Sequence, residues 1–154
     1  MSIYKRIAEA ELALPQLSVT SAPFKPFKLH ENTLIVSGQL PVRDGAPAWT
    51  GKVPADVSTD DARNAARLCV MNILGWVHVA TDGQLDRVKH VLRVGGFVAT
   101  SEGFADAPSI VNAASELLTQ LFGEAGEHAR IAIGVASLPF NAPVEIEATF
   151  VLAP

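Results

Sequence analysis

Residues Leu68 to Ala80, LCVMNILGWVHVA, form an uncharged, largely apolar run of 13 residues, broken in polarity only by Asn72 and His78. A helix of that length rises about 1.5 Å per residue and stops well short of the roughly 30 Å of a bilayer core. The run is therefore a buried helix of a folded domain, and a buried helix needs an apolar surface to lie on. Its start is written upstream. Ser58-Thr59-Asp60-Asp61 supplies a capping residue and acidic side chains in the first turn, where the helix dipole favours them. From there Ala62, Ala65, Ala66, Cys69, Ile73, Trp76 and Ala80 share one face, and Asp82-Gly83 marks the end.

The rest of the chain supplies the surface. Ile3, Ile7 and Ala10 predict a short helix over residues 2–12, and Pro15, Pro23 and Pro26 keep the following segment extended. NTLIVSGQLPV (Asn32 to Val42) reads as a strand ending at Pro41, and Asp44-Gly45 as a hairpin turn into a second strand near Ala48 to Thr50. Leu85 to Thr100 is extended, with Gly95-Gly96 marking a bulge or a close backbone approach. A second helix opens at Asp106 with Pro108 in its first turn. It buries Ile110, Ala114, Leu117, Leu118 and Leu121, and Gly123 stops it. Two strands, Arg130 to Ser137 and Val144 to Leu152, complete a ββ-α-β-α-ββ order. Both long helices then cover one face of a single mixed sheet, an α+β architecture. One domain, residues 1–154, is expected, with 1–22 as an N-terminal helix and extended lead-in.

The other sheet face still needs cover. The chain is 49% hydrophobic and 18% charged, against about 25% charged in an average soluble protein. That excess predicts self-association. A net charge of −4 without a basic stripe gives no reason to expect nucleic-acid binding. The N-terminus MSIYKRIAEAEL is too charged for a signal peptide. A lone cysteine, Cys69, suits a reducing compartment. A cytoplasmic protein that neither enters a membrane nor binds nucleic acid is the expectation.

Familiar catalytic templates are missing from the sequence. His30, His78, His90, His128 and Cys69 are scattered, so no metal signature exists, and Cys69 reads as a core filler. Gly95, Gly96 and Gly103 match no phosphate loop, and Ser37-Gly38 is no nucleophile elbow. Trp49 and Trp76 could stack a base, but Trp76 lies on the core face of its helix. Five polar residues among apolar neighbours remain: Ser37, Asn112, Arg130, Glu145 and Glu147. Each has an ordinary reading. Arg130 can be a solvated strand-end charge, Glu145 and Glu147 the solvent side of an alternating strand, Asn112 an exposed helix position, and Ser37 a locally bonded hydroxyl. On residues alone, both readings stand.

LIVSGQLPV, DDARNAARLCVMNIL, LDRVKHVLRVGGFVA, SIVNAASELLTQLFG and HARIAIGVASLPFNAPVEIEA occur in that order. Together they resemble the RidA/YjgF family of reactive intermediate deaminases, once labelled endoribonuclease L-PSP. The likeness runs roughly from Pro23 to Leu152, and the helical N-terminal extension resembles the family's longer branch. The resemblance implies a chorismate-mutase-like fold, a homotrimer with sites in clefts between subunits, and hydrolysis of small enamines and imines to 2-keto acids and ammonia without a cofactor. It assigns Arg130 to the substrate carboxylate and Glu145 to the attacking water. Asn112, Ser37 and Gly38 fall in the site by the same resemblance. Phe24 stands where well-known members have a tyrosine, and Ala132 where they often have a cysteine. A non-catalytic protein that senses a small carboxylate is a second reading, and a ribonuclease a third.

Arg130 and Glu145 each open one of two strands running in opposite directions. Six or so residues of strand at about 3.3 Å each put them roughly 20 Å apart in one chain. A site that uses both must join two subunits.

Overall fold

The computed structural model describes residues 1–17 and 21–154, so the lead-in expected over 1–22 is described except at positions 18–20. In chain order the elements are helix α1 (Ile3–Glu9), strands β1 (Phe27–His30), β2 (Thr33–Gln39), β3 (Val42–Arg43) and β4 (Ala46–Pro47), helix α2 (Thr59–Ala80), strand β5 (Val88–Ala99), helix α3 (Ala107–Phe122), and strands β6 (Ala129–Val135) and β7 (Val144–Leu152).

The helix boundaries follow their local chemistry. The Ser58 hydroxyl accepts the Asp61 N–H at 3.1 Å, with Asp60 and Asp61 in the first turn of α2. Beyond α2 the chain turns through Asp82 (φ 52°) and Gly83 (φ 79°). Pro108 sits in the first turn of α3, and Gly123 ends it at φ 63°. Asp106 holds the N-cap position of α3, but its side chain makes no capping bond. Helix α1 docks through buried Ile3 and Ile7, and the Arg6 guanidinium donates to the Leu121 carbonyl at 2.8 Å.

Five strands form one sheet in the order β1-β2-β7-β5-β6. Only the β5–β6 pair is parallel. Helix α2 carries the chain past the place that β7 later fills, and α3 crosses from β5 to its parallel neighbour β6. Strand β7 shows how the two faces divide. Val144, Ile146, Ala148, Phe150 and Leu152 are buried toward the helices, whereas Glu145, Glu147, Thr149 and Val151 face the other way. The core joins these residues to Leu34, Val36, Val94 and Val98, to Ala65, Cys69 and Ile73 of α2, and to Ile110, Ala114 and Leu118 of α3. Gly96 lets α3 come close: a Cβ there would lie 2.5 Å from the Val111 methyls. The glycine pair therefore marks a close approach and not a bulge; the register of β5 slips earlier, between Val88 and Arg93.

Among the described residues no helix covers the opposite face. Ile35, Ile131 and Ile133 are exposed there, flanking the Glu145 and Glu147 side chains. Among the described residues no helix is long and apolar enough to cross a membrane.

Two expectations shift. The extended segment after the prolines contains a strand, β1, paired with β2. The Asp44-Gly45 turn (φ 53° and 82°) does close a hairpin, but its strands are β3 and β4, outside the main sheet and earlier than Ala48. Buried Asn72 explains the break between β2 and β3, because its amide donates to the carbonyls of both Leu40 and Val42 at 3.0 Å. Those two carbonyls are drawn to α2 and not to a neighbouring strand.

Candidate active site

The seven residues assigned to the site fall into two groups, one at each side of the sheet. The first group is built around Glu145. Strand β2 bulges against β7 between Val36 and Gln39, which leaves Ser37 and Gly38 out of the ladder. The Glu145 carboxylate rests on Gly38 so closely that a Cβ at that position would lie 2.3 Å from Oε2. A side chain at position 38 would push the carboxylate from this place. The Ser37 hydroxyl donates to the Lys25 carbonyl at 2.6 Å, and its N–H to Pro26 at 2.9 Å. These bonds fasten the segment carrying Phe24, whose ring is 65% exposed.

The second group is built around Arg130, on the edge strand β6. Arg130 is level with Val94 on the helix side of the sheet. Its guanidinium donates to Ser115 Oγ at 3.2 Å and to the Pro108 carbonyl at 3.4 Å. Asn112 lies one helical turn from both of those residues along α3 and is exposed beside the guanidinium. Ala132 follows two residues on, along the same side of β6. A chain of bonds holds Ser115 in turn. His128 Nδ1 lies 2.6 Å from the Gly126 carbonyl, which can only accept, so Nδ1 carries the proton there. Nε2 is then free to accept the Ser115 hydroxyl at 2.9 Å. The serine oxygen faces Arg130 as an acceptor, and the guanidinium has a fixed seat.

The two groups do not meet within the chain. Strand register sets Arg130 level with Val94 and Ala148, and Glu145 level with Phe97 and Ile133. Three residues along the strands at about 3.3 Å, and two strand spacings of about 4.8 Å, separate their backbones by roughly 14 Å. That replaces the 20 Å expected from counting residues, because β6 and β7 are staggered on either side of β5. The side chains also leave from opposite faces of the sheet.

Burial raises the Glu145 carboxyl above its ordinary value, and the neighbouring Glu147 carboxylate pushes it the same way. Glu147 itself pairs with Arg93 at 3.4 Å. A carboxyl that holds its proton more tightly in the folded state contributes stability at low pH and loses it as pH rises through the folded value. Glu145→Gln removes that penalty. Its chemical-denaturation midpoint should exceed the wild-type one at about pH 8 and converge with it near about pH 3, below the ordinary glutamate range, where both side chains are neutral. A variant less stable than wild type at the higher pH would mean that the carboxylate is held by favourable contacts and not strained by burial.

Cys69 is fully buried beneath β7, where burial pushes its thiol up and its S–H points to the Val144 carbonyl at 3.8 Å. It fills the core. Trp76 is 8% exposed and donates to Gln39 Oε1 at 3.2 Å, so it too belongs to the packing.

The family described as "YjgF/chorismate_mutase-like, putative endoribonuclease" matches residues 4–149. The chain belongs to this family. "Protein TCP17" of Trypanosoma cruzi is 37% identical over 138 residues, 89% of this chain and 86% of its own. The crystal structure of Atu1372 from Agrobacterium tumefaciens, a protein of unknown function, superposes with a TM-score of 0.91 at 41% identity, covering 99% of this chain and 92% of that one. The YjgF gene product of E. coli is 27% identical, covers 86% of this chain and 90% of its own, and superposes with a TM-score of 0.59. Family membership settles the chorismate-mutase-like fold.

Ser115 and His128 escaped the sequence reading because nothing local ties either to Arg130; only the packing of α3 on β6 does.

Proposed function

We propose that the protein hydrolyses imines and enamines derived from 2-keto acids, without a cofactor, in clefts between the subunits of a homotrimer. The observation that carries this reading is the division of the polar residues. A seated arginine lies on one edge of the chain, and a carboxyl with raised proton affinity lies across the sheet, on a face that exposes isoleucines. A three-fold ring that buries those faces brings Arg130 of one subunit beside Glu145 of the next.

The chemistry then needs little. Arg130 grips the carboxylate through two parallel hydrogen bonds and fixes the adjacent C=N. Asn112 and the backbone of Ala132 border the same position, while Ser37, Gly38 and Phe24 wall the opposite side. Glu145 takes a proton from water as the oxygen adds to the imine carbon, and it returns that proton to nitrogen. The hydroxyl of the resulting carbinolamine then gives up its own proton, relayed through Glu145 to the nitrogen, as the C=O forms and the C–N bond breaks; ammonia leaves, and a 2-keto acid remains. An enamine reaches the same path once its carbon is protonated. A base whose proton affinity is raised toward neutrality suits both transfers, so turnover should fall on acidification at a pH above the ordinary carboxylate range.

The test is direct. Protein added to enzymatically generated 2-iminobutyrate should shorten its lifetime well below that in buffer. No acceleration at any protein concentration removes the proposal. Phe24, which offers a hydrocarbon ring and no hydroxyl, favours one second reading, a carboxylate-binding protein that does not turn its ligand over. Calorimetry that detects 2-ketobutyrate binding, in a preparation inert toward imines, would select it. Ribonuclease action finds no support in a chain of net charge −4.

A further inference from the structure

Ser115 lies inside α3, where a hydroxyl ordinarily turns back onto its own helix. Two threonines of this chain do so. Thr119, one turn further along α3, donates to the carbonyls of Ser115 and Glu116 at 3.2 and 3.0 Å, and Thr81, at the end of α2, donates to that of Val77 at 2.8 Å. Ser115 does not. Its hydroxyl is drawn sideways, 2.9 Å from His128 Nε2, and its oxygen lies 3.2 Å from the Arg130 guanidinium. All three side chains are partly buried where α3 packs on β6.

Each link fixes the next. The Gly126 carbonyl, 2.6 Å from Nδ1, keeps the imidazole proton on that nitrogen. In the neutral ring Nε2 then accepts, so the Ser115 proton points at the histidine and a lone pair points at Arg130. A guanidinium carries five N–H groups. Ser115 takes one on one terminal nitrogen and the Pro108 carbonyl one on the other. The Nε–H and one N–H on each terminal nitrogen stay available for a carboxylate. Without the histidine acceptor, the serine hydroxyl is released to the Val111 carbonyl one turn back, as Thr119 turns to Ser115. Its oxygen then leaves the guanidinium.

We propose that Ser115 and His128 are positioning residues: together they aim Arg130 before the ligand arrives, and so set how tightly the protein holds a carboxylate. This rests on the carboxylate-binding role of Arg130 and deepens it. An arginine left loose must give up its rotamer freedom when it grips a ligand, whereas one already seated on α3 has lost it in folding. Ordering one such side chain in advance strengthens binding about three- to tenfold. Both residues act through the guanidinium, without a contact of their own to the ligand.

Calorimetry with 2-ketobutyrate reads the effect without any turnover. Ser115→Ala removes the acceptor and His128→Leu the residue that orients it; each should weaken binding about three- to tenfold. His128→Gln should stay near the wild-type affinity, since the glutamine oxygen can accept the serine hydroxyl in place of Nε2. The deciding measurement repeats Ser115→Ala in Arg130→Lys protein. A lysine ammonium does not span serine and ligand, so removing the hydroxyl there should change the affinity little. A merely structural serine would lower the melting temperature and leave the affinity alone, or weaken binding alike in both backgrounds. Either outcome overturns the positioning role. If wild-type protein holds 2-ketobutyrate and Ser115→Ala and His128→Leu hold it equally well, the positioning role alone fails. If the wild type holds no 2-ketobutyrate, Arg130 is no carboxylate clamp and both readings fall together.

Discussion

Arg130→Ala should fold normally and lose its ligand. The guanidinium is the cation seated by Ser115 and Pro108 on the edge of β6, and a carboxylate taken out of water there has no substitute partner. Removing one member of such a pair costs about 2–5 kcal/mol of binding, roughly a 30- to 5,000-fold weakening. Titration of 2-ketobutyrate by calorimetry reads that loss, and a far-ultraviolet melting curve checks that the fold is intact. Arg130→Lys should recover the charge without recovering the affinity. An ammonium cannot hold two carboxylate oxygens in one plane, nor reach Ser115 and the ligand together. A lysine variant with full affinity would return Arg130 to the status of a solvated strand-end charge.

The larger effect is a gain from nothing. Arg130→Ala and Glu145→Gln should each be inactive alone, and refolding the two together after mild unfolding should restore turnover. Each cleft of a random mixed trimer needs its arginine from a Glu145→Gln subunit and its glutamate from an Arg130→Ala subunit. An equal mixture should therefore recover about a quarter of wild-type activity. A site confined to one chain would recover none, because no single chain in the mixture has both residues. Sedimentation must first show that mixed trimers form; a monomer, or silent mixed trimers, would end the shared-site proposal.

Most of the fold is legible in the sequence. The long helices announce themselves by period, cap and stop, and β7 by its strict alternation. Strand β1 could not be read, since FKLH holds only two apolar residues and its pairing with β2 is a long-range event. The β3–β4 hairpin was legible in its turn, but its exact strands depend on Asn72 reaching across from α2. The site divides in the same way. Arg130 and Glu145 stand out as charges opening apolar strands, and Gly38 and Asn112 come with the motifs. The seat of Arg130 does not, because Ser115 and His128 are ordinary residues until α3 is laid against β6. The stagger of β6 and β7 is hidden too, since β5, the strand that fixes their offset, is far from both in sequence.

Strand β7 lies in the middle of the sheet, between β2 and β5, yet it is the last element of the fold to leave the ribosome. Until then the nascent chain holds two incomplete halves, β1 with β2 and β5 with β6, each with an unsatisfied row of backbone groups where β7 will insert. Local contacts can form the helices early, but the sheet must wait for its final segment. Glu145 arrives on that segment, so its carboxyl is the last of the proposed site's groups to be placed.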